Sequence, residues 1–192
     1  QGQWCAFPDL DETSQYTGPY KARNFEIFRD LLYNNGMKGM EKKFLNASGK
    51  LQALCYKYEI ERNLRTPEYP GYQLLALNDY SGQGTALEGV LNVFWREKGY
   101  IDGPTWQQWC APVVLLARLP KFVYTNSQTL TAPIEAVNAT EEVITPTTLN
   151  CTVSDASGKE IWSQTLGNTD IAIGKGNKLG TLSLPLDKLP SP

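Results

Sequence analysis

Residues 71–95 read GYQLLALNDYSGQGTALEGVLNVFW, and their interpretation decides the fold. An apolar run of strand length, residues 72–77, breaks into Asn78-Asp79-Tyr80-Ser81-Gly82-Gln83-Gly84. From Thr85 an apolar period resumes: Leu87, Val90, Leu91 and Phe94 recur at i, i+3, i+4 and i+7, the spacing of one helix face. The pattern predicts a buried strand, a polar corner and an amphipathic helix closed by Gly99. A helix, then a strand, a corner and another helix is the α/β alternation of a parallel sheet. In that architecture chemistry gathers where strands end and helices begin.

The corner offers Asn78, Asp79, Tyr80 and Gln83: amides, a carboxylate and a phenol, with no cation beside them. That set suits neutral, hydroxyl-rich ligands such as sugars better than phosphates. Gly82-Gln83-Gly84 has the look of a phosphate loop, but the lysine of a Walker motif is missing. A plainer reading stands beside this one, in which Asp79 caps the following helix and Gln83 satisfies loop backbone.

Upstream, residues 1–23 carry Pro8, Gly18 and Pro19 among aromatics and predict a long loop. Trp4, Phe7, Tyr16 and Tyr20 there suit either stacking on sugar faces or covering a rim. Asn24 suits a helix cap, with Phe25, Phe28 and Leu32 on one face and a stop at Asn34-Asn35-Gly36. A second helical period runs through Phe44, Leu51, Leu54, Cys55 and Tyr58 to Thr66-Pro67, with Gly49 as a potential break. Downstream, residues 101–121 are irregular and punctuated by Pro104, Pro112 and Pro120. Beyond Phe122 the pattern becomes alternating and rich in Thr and Val. Leu149, Cys151 and Val153 share a face, residues 154–158 turn, and Leu182, Leu184 and Leu186 alternate. Four or five short strands of this kind predict an antiparallel sandwich, with a domain boundary near residue 121.

Composition removes several kinds of chemistry. The chain has 192 residues, 41% hydrophobic, which is enough for a core. It contains no histidine, so Ser-His-Asp and Cys-His nucleophiles, histidine-ligated zinc and a histidine base are excluded. With 18 basic against 20 acidic residues and no basic block, nothing marks a nucleic-acid or anionic-membrane surface. No apolar stretch approaches the about 20 residues of a membrane span. Residues 1–5 have neither the basic start nor the apolar core of a signal peptide. Cys5, Cys55, Cys110 and Cys151 form no CxxC pair, which favours unpaired thiols over metal ligands, although an even count leaves one disulfide open. Asn46, Asn138 and Asn150 head Asn-x-Ser/Thr triplets, which matter only in a eukaryotic secretory context. Glu59 and Glu61 lie within a helical period beside Lys57 and Arg62 and read as a salt-bridged solvent face. Asp9, Asp11 and Glu12 read as a solubilising cluster or a loose cation site.

Three stretches together, GQWCAFPDLDETSQYTG (residues 2–18), NFEIFRDLL (24–32) and residues 71–95, resemble the end of the catalytic domain in glycoside hydrolase family 2-like enzymes. The nearest likeness is to the β-galactosidase/β-glucuronidase-related group. NCTVSDASGKEIW (150–162) and GKGNKLGTLSLPL (174–186) are similar to the immunoglobulin-like sandwich that follows it. The resemblance implies a fold. Residues 1–121 would be the C-terminal part of a (β/α)8 barrel with its last helices, strand eight and a linker. Residues 122–192 would be an immunoglobulin-like β-sandwich, whole or in part. It also implies a retaining hydrolase of β-linked carbohydrates, working through two carboxylates about 5–5.5 Å apart. Related sequences read His-Glu-x-Gly-Gln-Trp at the nucleophile, which aligns Gln1 with x and places the catalytic carboxylates before residue 1. No catalytic residue, metal or cofactor is then expected in this chain. Trp4, Asn78, Asp79, Tyr80 and Gln83 become substrate-binding candidates, the partners are a carbohydrate and the rest of the parent chain, and the family habit is export to the periplasm or beyond. A barrel needs roughly 250 residues, more than the chain offers before its boundary.

Two other readings compete. A non-catalytic carbohydrate-binding or scaffolding module would be self-contained, whereas part of a larger enzyme would leave Leu74, Leu75 and Leu77 short of neighbours to bury them. An enzyme pairing Asp79 with Glu59 or Glu61 would need those side chains to converge at one cleft.

Overall fold

The computed structural model describes residues 5–80, 82 and 86–189, and the chain divides into two compact units. The first takes residues up to 60 together with 72–107, and the second takes 61–71 and the chain from 108 onward.

In the first unit α1 (Arg23–Asn34) ends where Asn35 and Gly36 were expected to stop it, and Gly36 turns the chain at φ 72°. The helix α2 (Glu41–Leu64) is continuous through Gly49. That glycine is a close-approach residue rather than a break, because a Cβ there would sit 2.2 Å from the Tyr100 ring. Ala6, Leu45 and Tyr100 pack together beside it. The described part of the expected loop, residues 5–22, holds one 3-10 turn, Glu12–Gln15, and α3 (Gly103–Gln107) closes the unit.

The expected strand, corner and helix are not there. Residues 72–77 form no strand and bend at Leu75 and Leu77, and a single parallel bridge pairs Asn78 with Leu91. The described part of 85–99 is not helical. Leu91 bridges a second time, antiparallel, to Glu97, so the chain doubles back between them. Asn92 causes the reversal. Its Oδ1 accepts from Phe94 N at 2.9 Å and Arg96 N at 3.0 Å, donors that a helix would need for its own ladder. The Asn92 N–H in turn donates to Arg96 O at 2.9 Å. Gly89 also disfavours a helix by about 1 kcal/mol relative to Ala. Here it serves a close contact, since a Cβ would lie 2.2 Å from the Asn78 carbonyl carbon. The fold is therefore not an α/β barrel fragment: all the strand ladders among the described residues are antiparallel, in two small sheets, with three α-helices.

Both sheets lie in the second unit. One has the order β1-β2-β5 and the other pairs β3 with β4, where β1 is Val113–Ala117, β2 Thr129–Asn138, β3 Ile144–Ser154, β4 Glu160–Ile171 and β5 Gly174–Pro185. What was expected to be an immunoglobulin-like domain is thus a small five-stranded sandwich, and β1 comes from residues read as linker. Ile134 and Ala136 of β2, Leu166 and Ile171 of β4 and Leu179 of β5 fill the space between the sheets. Gln164 stitches one side shut, donating to Thr181 O at 3.1 Å and accepting from Ser183 N at 2.9 Å. On the β1/β3 side the sheets stand apart around a cavity of about 320 Å³ lined by Val113, Leu115, Ile144, Thr148 and Leu149. At the C-terminal end of α2 the Lys175 ammonium donates to the carbonyl oxygens of Asn63, Thr66 and Tyr69, satisfying acceptors the helix leaves open.

Alternation along β1 gives a direct test of this packing. Leu116 is 1% exposed and Leu115 48%. Leu116→Ala is expected to lower stability by about 2–5 kcal/mol in urea unfolding, and Leu115→Ala by less than about 1 kcal/mol.

Candidate functional site

The polar corner folds inward. Asp79 is buried, and its carboxylate meets the Lys98 ammonium at 2.8 Å, an ion pair whose side chains are 5% and 7% exposed. Gly89 completes the arrangement with both of its backbone polar groups: its N–H donates to Asp79 Oδ1 at 3.1 Å, and its carbonyl accepts from Lys98 Nζ at 2.7 Å. Backbone bonds lock the same segment, with Asp79 N donating to Leu91 O at 3.0 Å and Leu91 N to Leu77 O at 3.1 Å.

Three further side chains hold residues 87–89 from the helical side. Gln52 of α2 donates to Leu87 O at 3.2 Å and Glu88 O at 3.0 Å, and Tyr56 donates to Glu88 O at 2.8 Å. The Tyr100 hydroxyl donates to Gln52 Oε1. Segment 86–98, which lacks regular secondary structure, is thus shaped by these side-chain bonds together with a few isolated backbone bonds.

The electrostatics follow from burial. Burial pushes the Asp79 carboxyl up to about 6, against the opposing pull of the Lys98 ammonium and the Gly89 N–H. The Glu12 charge pushes in the same direction. Burial also raises Glu12 itself, while the Tyr16 hydroxyl, donating at 2.9 Å, and the Lys98 charge oppose the rise.

The structure places the candidate side chains differently from one another. Asp79 faces the interior. Asn78 is half-buried and its Nδ2 donates to Asp79 O at 2.9 Å. Tyr80 is exposed, its backbone N–H bonded to Ala86 O at 3.1 Å. Trp4 and Gln83 lie outside the described residues. Asp79 does not act as a helix cap, because no helix follows it. Of the other acids, Asp9 bonds to Lys42 at 2.9 Å and Glu61 to Arg65 at 2.7 Å, the latter buried rather than on a solvent face. No three His, Cys, Asp or Glu side chains among the described residues come together as a metal site, and none of the four cysteines is in a disulfide.

Sequence reasoning missed Lys98, Gln52, Tyr56 and Tyr100, the partners that fix the corner. It also missed the turn beyond Leu91. Asn92 and Arg96 close a three-residue hairpin over Val93, Phe94 and Trp95, with Trp95 N donating to Asn92 O at 3.0 Å. Trp95 takes φ 62°, the left-handed position that such loops normally give to glycine. A non-glycine residue there costs about 1–2 kcal/mol. The indole is nevertheless 64% exposed. The hairpin is anchored on either side of it: Phe94 packs on Tyr16 with ring centroids 5.8 Å apart, and Arg96 Nη1 donates to Gln15 Oε1 at 2.9 Å.

Residues 128–192, which begin just before β2, match a family model described as a domain of unknown function, DUF8488. No curated protein matches the chain.

The ion pair makes two measurable demands. Because the folded Asp79 pKa of about 6 exceeds the unfolded value of 3.8, its contribution to stability is fully present below pH 3.8 and is lost as pH rises through about 6. The urea midpoint of the wild type, relative to Asp79→Asn, is expected to fall across that window. Lys98→Met strands a buried carboxylate and is expected to cost about 3–5 kcal/mol at pH 7. The loss should shrink when Asp79 is protonated near pH 4, and a loss independent of pH would contradict the pairing.

Proposed function

We propose that this chain is a carbohydrate-engaging part of a hydrolase that cleaves β-linked glycosides, with bond cleavage performed by carboxylates outside residues 1–192. The observation that carries this reading is the 71–95 segment: its sequence resembles that of family 2-like glycosidases, and its corner is held rigidly by a buried ion pair. In this reading Asn78 and Tyr80 meet the sugar, and Asp79 positions them by anchoring the backbone from below. Trp4 and Gln83 remain substrate-binding candidates on the resemblance alone.

The chemistry of the acids supports binding over catalysis here. A retaining glycosidase needs one carboxylate able to attack and another able to exchange a proton, about 5–5.5 Å apart. Asp79 is committed to Lys98, Glu12 to Tyr16, Glu61 to Arg65 and Glu135 to Arg118 at 2.8 Å. The exposed leucines of residues 72–77 support the presence of further polypeptide in the working protein. Leu75 is 81% exposed and Leu77 is also exposed, in a segment that joins no ladder.

A non-catalytic carbohydrate-binding module is the second reading, favoured by the same commitment of its buried acids. The two separate when residues 1–192 are assayed beside a longer natural chain containing them. The hydrolase reading expects the longer chain to release p-nitrophenol from a p-nitrophenyl β-galactoside or β-glucuronide, and Tyr80→Ala within it to raise KM several-fold. A longer chain that binds these glycosides without cleaving them supports the module, and one that does neither removes both readings.

A further inference from the structure

Trp95 carries two costs at one position, a left-handed backbone where glycine is the usual residue and an indole largely in water. No hydrogen bond or ring contact of the indole to the described residues offsets them. Residues held in this way mark sites where the surroundings over-determine a geometry for use outside the fold.

The turn that holds it is rigid. Asn92 Oδ1 takes the N–H groups of Phe94 and Arg96, the Phe94 ring packs on Tyr16, and the Arg96 guanidinium lies 5.5 Å from the Phe94 centroid while bonding Gln15. Flanking residues are therefore tied down, while the indole is largely exposed. The backbone beside it is tied to the corner as well. Glu97 bridges Leu91 and Leu91 bridges Asn78, which puts Asn78 and Glu97 two strand spacings apart, roughly 10 Å. A disaccharide spans a comparable distance.

We propose that Trp95 is a saccharide-stacking platform, its indole face receiving the apolar C–H face of a pyranose ring whose hydroxyls reach toward Asn78 and Tyr80. This rests on the carbohydrate reading and adds to it the residue that would supply most of the contact area. The surroundings favour a sugar over a protein partner. A protein hot spot is an aromatic embedded in an apolar patch, whereas Trp95 is followed by exposed Arg96 and Glu97. A planar ring bordered by polar groups matches a ligand with one apolar face and a rim of hydroxyls.

Trp95→Gly separates binding from folding, because glycine suits φ 62° and the variant is expected to melt a few degrees above the wild type. Lactose, cellobiose and methyl β-glucuronide are titrated at millimolar concentrations and followed by saturation-transfer NMR on wild type, Trp95→Gly and Trp95→Phe. The expected result is binding of at least one of these sugars by the wild type, a tenfold or greater loss in Trp95→Gly, and partial retention in Trp95→Phe. Equal binding by wild type and Trp95→Gly overturns the role of Trp95 while leaving the carbohydrate reading standing. A wild type that binds none of the three removes both. A Trp95→Gly variant that loses association with another protein in place of a sugar assigns the indole to a protein interface and overturns the proposal.

Discussion

The Asp79–Lys98 ion pair is the constraint on which the first unit depends. Two charges taken out of water each cost several kcal/mol, and their attraction repays this only where other hydrogen bonds complete the coordination. Gly89 provides those bonds with both of its backbone polar groups. The pair therefore fixes three points of the chain, residues 79, 89 and 98, that are separated by ten and nine positions and joined by no regular element. Everything presented to solvent between them, Tyr80 and Trp95 included, inherits its position from this knot.

Gln52 and Tyr56 extend that logic to the helix. They lie one turn apart on α2, Gln52 reaching the carbonyls of residues 87 and 88 and Tyr56 that of residue 88, so helical periodicity rather than a sheet ladder aligns the irregular segment. Tyr100 then fills the space above Gly49, the point where only a missing side chain allows so close an approach. A region without strands or helices of its own is rigid here because its backbone acceptors are met by side chains from an element that is rigid.

How much of this was legible in the sequence varied with the range of the interactions. The β-rich second unit was readable from alternation, since Leu149 and Cys151 of β3 do share a face toward the sandwich core. The α1 stop at Asn35-Gly36 was readable because it is local chemistry. The helix expected from Thr85 onward failed for a reason also present in the sequence but outweighed by periodicity: the apolar spacing of Leu87, Val90, Leu91 and Phe94 said nothing of Asn92, whose side chain competes for the backbone donors within four residues. The parallel-sheet reading failed because a strand is defined by its neighbours, and residues 72–77 have only one bridge at their end. Within the site, Asp79 was picked out and its orientation was not. Its partner lies nineteen residues away, and no periodicity links the two. Trp95 stood in the decisive stretch yet read as part of a helix, because positive φ leaves no trace in an apolar pattern.

The gap on the β1/β3 side of the sandwich has its own consequence. β3 runs for eleven residues, Ile144–Ser154, without a single charged side chain, and β4 pairs along only one of its edges. Natural edge strands usually carry a lysine, an inward charge or a cover to stop further strands from adding. The β3–β4 ladder shifts register between Ile144 and Thr147, between Thr148 and Leu149, and between Val153 and Ser154. Handling the second unit at high concentration will therefore expose a templating surface, and colloidal behaviour rather than folding stability will set how much of it remains in solution.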